Sequence, residues 1–203
     1  CQIAGCGVAA IRVSFAGEAG WEIHCDMADV VAVYDAIMAA GAPHQLGHFG
    51  MLALDSMRME KGYRSWKSDL TSDYTMLESG LGRWVKFDKD DFVGRSALQA
   101  EHQAGSQSQF VMLTLDDPVD DNADPFGEAV YLSVVQCDGV DSGLVVSSGY
   151  GHRLDKSIAM AVVNTDKLAS ASQITVTVLG RPRAAHLMPA HALYDPKNEK
   201  LRG

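Results

Sequence analysis

Between residues 11 and 24, apolar and polar side chains alternate on both sides of a glycine-flanked turn. Ile11, Val13 and Phe15 fall on one face and Arg12 and Ser14 on the other; beyond the connection at 17–20, Trp21 and Ile23 alternate with Glu22 and His24. A period of two on each side of a Gly-rich turn predicts a β-hairpin. The period then lengthens. Val30, Val33, Tyr34, Ile37 and Met38 share one face of a helix that Asp26 can cap, with Asp29 in its first turn and Gly41 at its end. A second helix is expected over about 49–61, with Leu52, Ala53, Met57 and Glu60 near one stripe and Gly62 as its stop. Residues 63–83 mix aromatics, charges and glycine and read as a long loop with short structured pieces. Another short helix is expected over 91–104.

From residue 109 the chain changes to short runs rich in Val and Ile, at 110–115, 128–134, 144–148, 157–163 and 174–179. Clusters of Asp, Gly, Pro and Asn separate them, as in DDPVDDNADPFGE, CDGVDSG and GYGHRLD. Short strands with turn signals at this spacing predict a small antiparallel barrel or sandwich. The boundary with the α+β part lies near 101–109, where Gln, Ser and Gly dominate.

With 203 residues the chain can bury a real core, as one large domain or two small ones. Its net charge of −9 is spread evenly: 9 basic against 14 acidic side chains up to residue 103, and 8 against 12 after it, so the halves carry −5 and −4. Phosphate-backbone binding needs clustered Lys and Arg, so nucleic acid is not an expected partner. Cys1, Cys6, Cys25 and Cys137 show no CxxC spacing and read as reduced thiols of an intracellular protein. No apolar run approaches the roughly 18 residues of a membrane span, and no signal-peptide pattern opens the chain. The chain starts at Cys1 and is already in strand and turn there, so it is expected to be the C-terminal part of something longer.

Glu18 is the first candidate for chemistry. A carboxylate can accept two parallel N–H bonds from one amidine-like edge, which a pterin offers, and a glycine-rich turn lets backbone approach a ligand closely. Trp21, Tyr63 and Trp66 could supply an aromatic wall for stacking, or Trp21 could belong to the core. Arg58, Lys61, Arg64 and Lys67 form a basic stretch; Arg58 and Lys61 share a helical face, and either could meet a glutamate tail or simply be solvated. His44 and His48 are four apart, but Pro43 precedes them and no third ligand is near in sequence, so no metal site is expected. Ser147 and Ser148 in SSGYGHRLDKS are followed by no Gly-Lys-Ser or Gly-Lys-Thr of a phosphate loop, lie in a β-rich setting, and read as turn chemistry. No residue is singled out as catalytic.

Taken in order, RVSFAGEAGWEI, VYDAIMAAGA, ALDSMRMEKGYRSWKSDL, LESGL and DFVGRSAL resemble the folate-binding aminomethyltransferase family. That family includes the T-protein of the glycine cleavage system and the C-terminal parts of sarcosine and dimethylglycine dehydrogenases. FGEAVYL, SSGYGHRLDKSIAMAVV and LYDPKNEKLRG resemble its C-terminal barrel domain, so the likeness covers nearly the whole chain. It implies an α+β fold: an antiparallel sheet with packed helices over 1–103, the C-terminal part of the folate-binding domain, then a small antiparallel β-barrel over 104–203.

The resemblance also implies a tetrahydrofolate site. The family's pterin-binding acid maps onto Glu18, with Trp21, Arg58, Tyr63 and Trp66 as further cofactor-binding candidates. Within the family, EKGYRSWKSDL and the YDP-N tail are most similar to the sarcosine dehydrogenase type. The implied parent is a FAD-dependent sarcosine or dimethylglycine dehydrogenase that passes a one-carbon unit to tetrahydrofolate, its FAD bound by a preceding part. A stand-alone T-protein, a folate-dependent demethylase and a non-catalytic folate-binding or structural module are the alternatives. Two departures matter. The T-protein branch has an arginine where this chain has Leu54, and the family's acid–base aspartate lies in a segment absent here. The chain alone is therefore expected to be catalytically silent. Its implied partners are a small-molecule substrate and folate, with the oligomeric state open. Its location is the cytoplasm, or the mitochondrial matrix as the alternative.

Overall fold

The structure is a computed structural model that describes residues 1–116, 128–189 and 193–203. The N-terminal part opens with three antiparallel strands in the order β1 (Gln2–Ile3), β2 (Cys6–Ile11) and β3 (Glu22–Cys25). Helix α1 (Val30–Gly41), helix α2 (Met51–Glu60) and helix α3 (Arg95–Ala104) follow. Strands β4 (Ser108–Leu115), β5 (Val134–Cys137), β6 (Val140–Gly151) and β7 (Lys156–Asn164), a one-turn helix α4 (Thr165–Ser170), then β8 (Ile174–Val178) and β9 (Arg181–Met188) build the second part. A short helix α5 (Glu199–Arg202) ends the chain. The six later strands close into an antiparallel barrel in the order β4-β7-β6-β5-β8-β9. Among the described residues no helix is long and apolar enough to cross a membrane.

The barrel is closed by pairing β4 with β9, Met112 opposite Met188 through Leu115 opposite Ala185. Val111, Leu113, Val135, Val145, Ala159, Ala161, Val163 and Val176 fill its interior. The alternate residues of β4 and β7, among them Phe110, Met112, Ile158, Met160 and Val162, point outward yet are also buried, against Met59 of α2. Both faces of these two strands are covered, so their sequences are continuous apolar runs rather than alternating ones. Helix α2 is the splint between the two parts: Met59 is 2% exposed, and Gly62 ends the helix with φ +71 and an N–H donated to the Met59 carbonyl. Elsewhere before residue 104, Val8 and Val33 are the only other buried hydrophobic side chains among the described residues.

Several sequence expectations are corrected. The hairpin exists, pairing Val8 with Cys25 and Ile11 with Glu22, but its first strand lies earlier, and Val13 and Phe15 belong to a long connection. Phe15 leaves the ladder to stack on Tyr63 instead, so its alternation with Ser14 reflects a contact outside the sheet. Asp26 does not cap α1. Asp29 precedes the helix and makes no side-chain cap, and the Asp26 carbonyl accepts from Asp29 N in the preceding turn. Gly41 is the last helical residue rather than a left-handed stop. A Cβ there would lie 2.4 Å from Leu46 Cδ2, so close packing explains the glycine. Helix α3 begins at Arg95, after Gly94 at φ +87. The strand expected over 128–134 begins only at Val134, although Leu132 N donates to the Val145 carbonyl ahead of it. Strand β9 was not expected at all, because Arg181, Pro182, Arg183 and His186 break its apolar signal. Most of the Asp- and Pro-rich connection predicted after residue 115 lies outside the described residues.

Candidate functional site

Glu60, the last residue of α2, and Lys61, its C-terminal cap, organise the surroundings of Glu18. Both are buried, at 1% and 2% exposure. Burying ions is costly unless each finds partners, and here the partners come from two distant segments. Glu60 Oε1 accepts the backbone N–H groups of Arg153 (2.7 Å) and Leu154 (3.1 Å) in the turn between β6 and β7. The Glu60 carbonyl accepts from Leu193 N (3.0 Å) and Tyr194 N (2.9 Å). Lys61 Nζ donates to the Asp195 carbonyl (2.6 Å) and to Asp195 Oδ2 (3.1 Å). The Lys61 stem lies under the Glu18 turn: Gly17 has φ +80, and a Cβ on it would meet Lys61 Cγ at 2.8 Å. Only glycine satisfies both the left-handed backbone and the close approach.

Glu18 is half-buried above this clasp. Its Oε1 receives Arg153 Nη2 at 2.7 Å and the Tyr194 hydroxyl at 2.9 Å. The Arg153 guanidinium lies over the Tyr194 ring, 4.2 Å from its centroid, and its other amino nitrogen is 4.0 Å from Glu60 Oε2. Glu18 Oε2 takes no hydrogen bond among the described residues and remains an open acceptor. Tyr194 donates to a carboxylate, and chiefly for that reason its phenol ionises above the ordinary value. Asp195 is pushed up by desolvation, but hydrogen bonds from Lys61 and from the backbone of 199–201 outweigh this and hold it below the ordinary carboxylate value.

Of the residues singled out from sequence, Tyr63 stacks on Phe15 (centroids 6.4 Å apart, planes at 12°), and Arg58 Nη1 donates to the Tyr63 carbonyl at 3.0 Å. Desolvation raises the Tyr63 phenol, with Asp195 adding to the effect. Arg58 is 4% exposed and fully engaged: Nε on Asp55 Oδ1 (2.9 Å), Nη1 on Asp69 Oδ2 (2.7 Å), Nη2 on Ser147 Oγ (3.0 Å). It braces α2 against the following loop and β6 and offers no free fork to a ligand tail. Lys61 is likewise consumed. Trp21 and Trp66, 62% and 75% exposed, make no ring contact with each other or with Tyr63 among the described residues. His48 spends Nε2 on the Tyr34 hydroxyl at 3.1 Å. A cavity of about 530 Å³ opens between α2 and β6, lined by Asp55, Ser56, Arg58, Ser68 and Ser147 among others; Glu18 does not line it.

Arg153 and Tyr194 were missed from sequence. Arg153 lies in GYGHRLD, read as turn chemistry, and Tyr194 lies in the tail; no local spacing could join either to a residue more than 130 positions away.

Two family models match the chain: the GCVT N-terminal domain over residues 1–89 and the glycine cleavage T-protein C-terminal barrel domain over 109–195. Human mitochondrial dimethylglycine dehydrogenase is 35% identical over 96% of this chain. Human mitochondrial sarcosine dehydrogenase is 36% identical over 100% of it. The chain spans 22% of the length of each. An aminomethyltransferase of Moorella thermoacetica is 30% identical over 97% of this chain and 51% of its own. The crystal structure of glycine cleavage system aminomethyltransferase T from Bartonella henselae superposes with a TM-score of 0.74 at 22% identity, covering 89% of this chain and 48% of that one; it shares the fold. With matches to both domains in chain order, the chain belongs to the glycine cleavage T-protein family of folate-binding aminomethyltransferases.

Proposed function

We propose that this chain is the tetrahydrofolate-binding part of an enzyme that oxidises an N-methylated glycine with FAD and hands the one-carbon unit to tetrahydrofolate. The observation that carries the reading is Glu18, a half-buried carboxylate on a glycine turn, ordered through Oε1 and open at Oε2. Its setting fits one edge of a reduced folate. Oε2 is free for an N–H of the aminopyrimidine ring, whereas a second parallel N–H bond needs Arg153 or Tyr194 to release Oε1. That differs from the two-bond grip expected from sequence. When bound, tetrahydrofolate supplies the amine nitrogens that take up the carbon. This chain's share is to bind and orient: Glu18 receives the ring edge, the Phe15–Tyr63 pair offers an apolar flank nearby, and the clasp on α2 fixes both in place.

The dehydrogenase assignment is supported by 35–36% identity to two such enzymes, against 30% to an aminomethyltransferase, and by Leu54 where the T-protein branch carries arginine. FAD, in this reading, belongs to polypeptide outside these residues. The reading divides the chain at 103/104 and keeps the protein in the cytoplasm, with the mitochondrial matrix as the alternative that the human relatives' names favour. Calorimetric titration with 5-formyltetrahydrofolate tests the folate site. Binding that Glu18→Gln weakens at least tenfold is expected; saturable binding unchanged by Glu18→Gln overturns it. For the parent, a complete reading frame that encodes no upstream dinucleotide-binding GxGxxG unit would remove the flavin half of the reading.

A further inference from the structure

We propose that Arg153 and Tyr194 are positioning residues for Glu18: they hold Oε1 so that the carboxylate presents Oε2 alone to a nitrogen donor. The inference rests on Glu18 being the ligand-binding acid.

Three observations lead to it. First, the convergence is built from distant segments. Glu18 meets Tyr194 across 176 positions, and the backbone of both partners is pinned by the same residue, Glu60, through its side chain for Arg153 and its carbonyl for Tyr194. Second, the clasp uses buried ions where apolar contacts would hold the segments as well. Replacing a buried ion pair by packed hydrophobic residues is often neutral or stabilising, so cohesion alone does not explain Glu60, Lys61 and Asp195. What such contacts supply is direction, because hydrogen bonds constrain angles as well as distances.

Third, the charges do not cancel. Glu18, Glu60 and Asp195 oppose Lys61 and Arg153, leaving one negative charge in excess, and the acceptor still open is Glu18 Oε2. Arg153 is shared between two acids and sits over the Tyr194 ring, so its guanidinium is held from three sides. A ligand edge that donates N–H completes this set, whereas an anionic ligand end directed at Oε2 is repelled. The site therefore reads one N–H on Glu18, and its selectivity depends on Oε1 staying occupied.

The test compares wild type, Arg153→Met, Arg153→Lys, Tyr194→Phe and the Arg153→Met/Tyr194→Phe double variant by titration with 5-formyltetrahydrofolate. Each single removal is expected to weaken binding about tenfold, the order of one lost charge-assisted hydrogen bond. The double variant should fall well short of a hundredfold, since both contacts serve one oxygen, and Arg153→Lys should recover most of the loss. Tyr194→Phe removes a single oxygen, so folding is not in question there. A second readout needs no ligand. In 13C-tyrosine-labelled protein, the resonance lost in Tyr194→Phe should titrate above the ordinary phenol value of 10.0 and return toward it in Glu18→Gln. Full binding by Arg153→Met, or a Tyr194 titration indifferent to Glu18→Gln, overturns the proposal. If wild type binds no folate, the functional reading fails, and the Tyr194 titration alone decides the positioning claim.

Discussion

Replacing Arg58 by methionine separates a ligand anchor from a structural brace. Its guanidinium is buried and lies 2.7 Å from Asp69 Oδ2, while Asp69 itself is 0% exposed and its Oδ1 already lacks a partner among the described residues. Methionine keeps an apolar stem but removes the charge and all the donors, including the Nη1 contact to Met160 Sδ. Asp69 then keeps only the Ser65 backbone N–H, at 2.6 Å. Breaking a buried pair from one side costs about 3–5 kcal/mol, because the remaining ion is uncompensated. With a urea slope of about 2 kcal/mol/M, the midpoint falls by about 1.5–2.5 M, read by tryptophan fluorescence. The double variant Arg58→Met/Asp69→Leu should regain most of that loss, since neither charge is left to desolvate. If Arg58→Met keeps its midpoint within about 0.3 M, equivalent to roughly 0.6 kcal/mol at that slope, the brace argument is wrong. Weakened folate binding in that same case would restore the anchor role expected from sequence.

Further outcomes follow from the same geometry. Gly17→Ala should cost about 2–4 kcal/mol in a urea melt, combining a left-handed alanine with a Cβ 2.8 Å from Lys61 Cγ. Met59→Ala should cost about 2–5 kcal/mol in the same assay, because it hollows the seam between α2 and the barrel. Asp195 ionises below its ordinary value of 3.8 in the folded chain, so its contribution is present above that pH and lost as pH falls through the depressed value. Acid melts of Asp195→Asn should therefore lack that low-pH limb; an unchanged acid profile would contradict the assignment.

The barrel was legible because its strands obey local rules. Runs such as 158–163 are apolar throughout, and turn residues mark their ends. Strand β9 escaped because it pairs with β8 over Arg181–Ala185 and with β4 over Ala185–Met188 through backbone bonds, and the small, polar-flanked segment carries little pattern. In the N-terminal part, helical periodicity placed α1 and α2, yet the face of α1 it identified is largely open: Val30 and Tyr34 are exposed, and only Val33 is buried. At the site, the resemblance pointed to Glu18, while the burial and pairing of Arg58 and Lys61 were not legible. A basic residue at a helix end looks solvated in sequence; here the acids that claim these two, Asp69 and Asp195, are respectively 11 and 134 positions away. Arg153 and Tyr194 were invisible for the same reason, since tertiary charge pairing leaves no periodic trace.

The clasp at the end of α2 also sets a timetable. Contacts spanning 93, 134 and 176 positions cannot form until both ends of each loop exist, and long-range closure is the slow step of folding. On a ribosome, the Glu18 turn emerges 176 positions before Tyr194, and its contacts are completed only when Tyr194 and Asp195 follow. Any nascent chain stopped short of them would carry the acid without the hands that aim it.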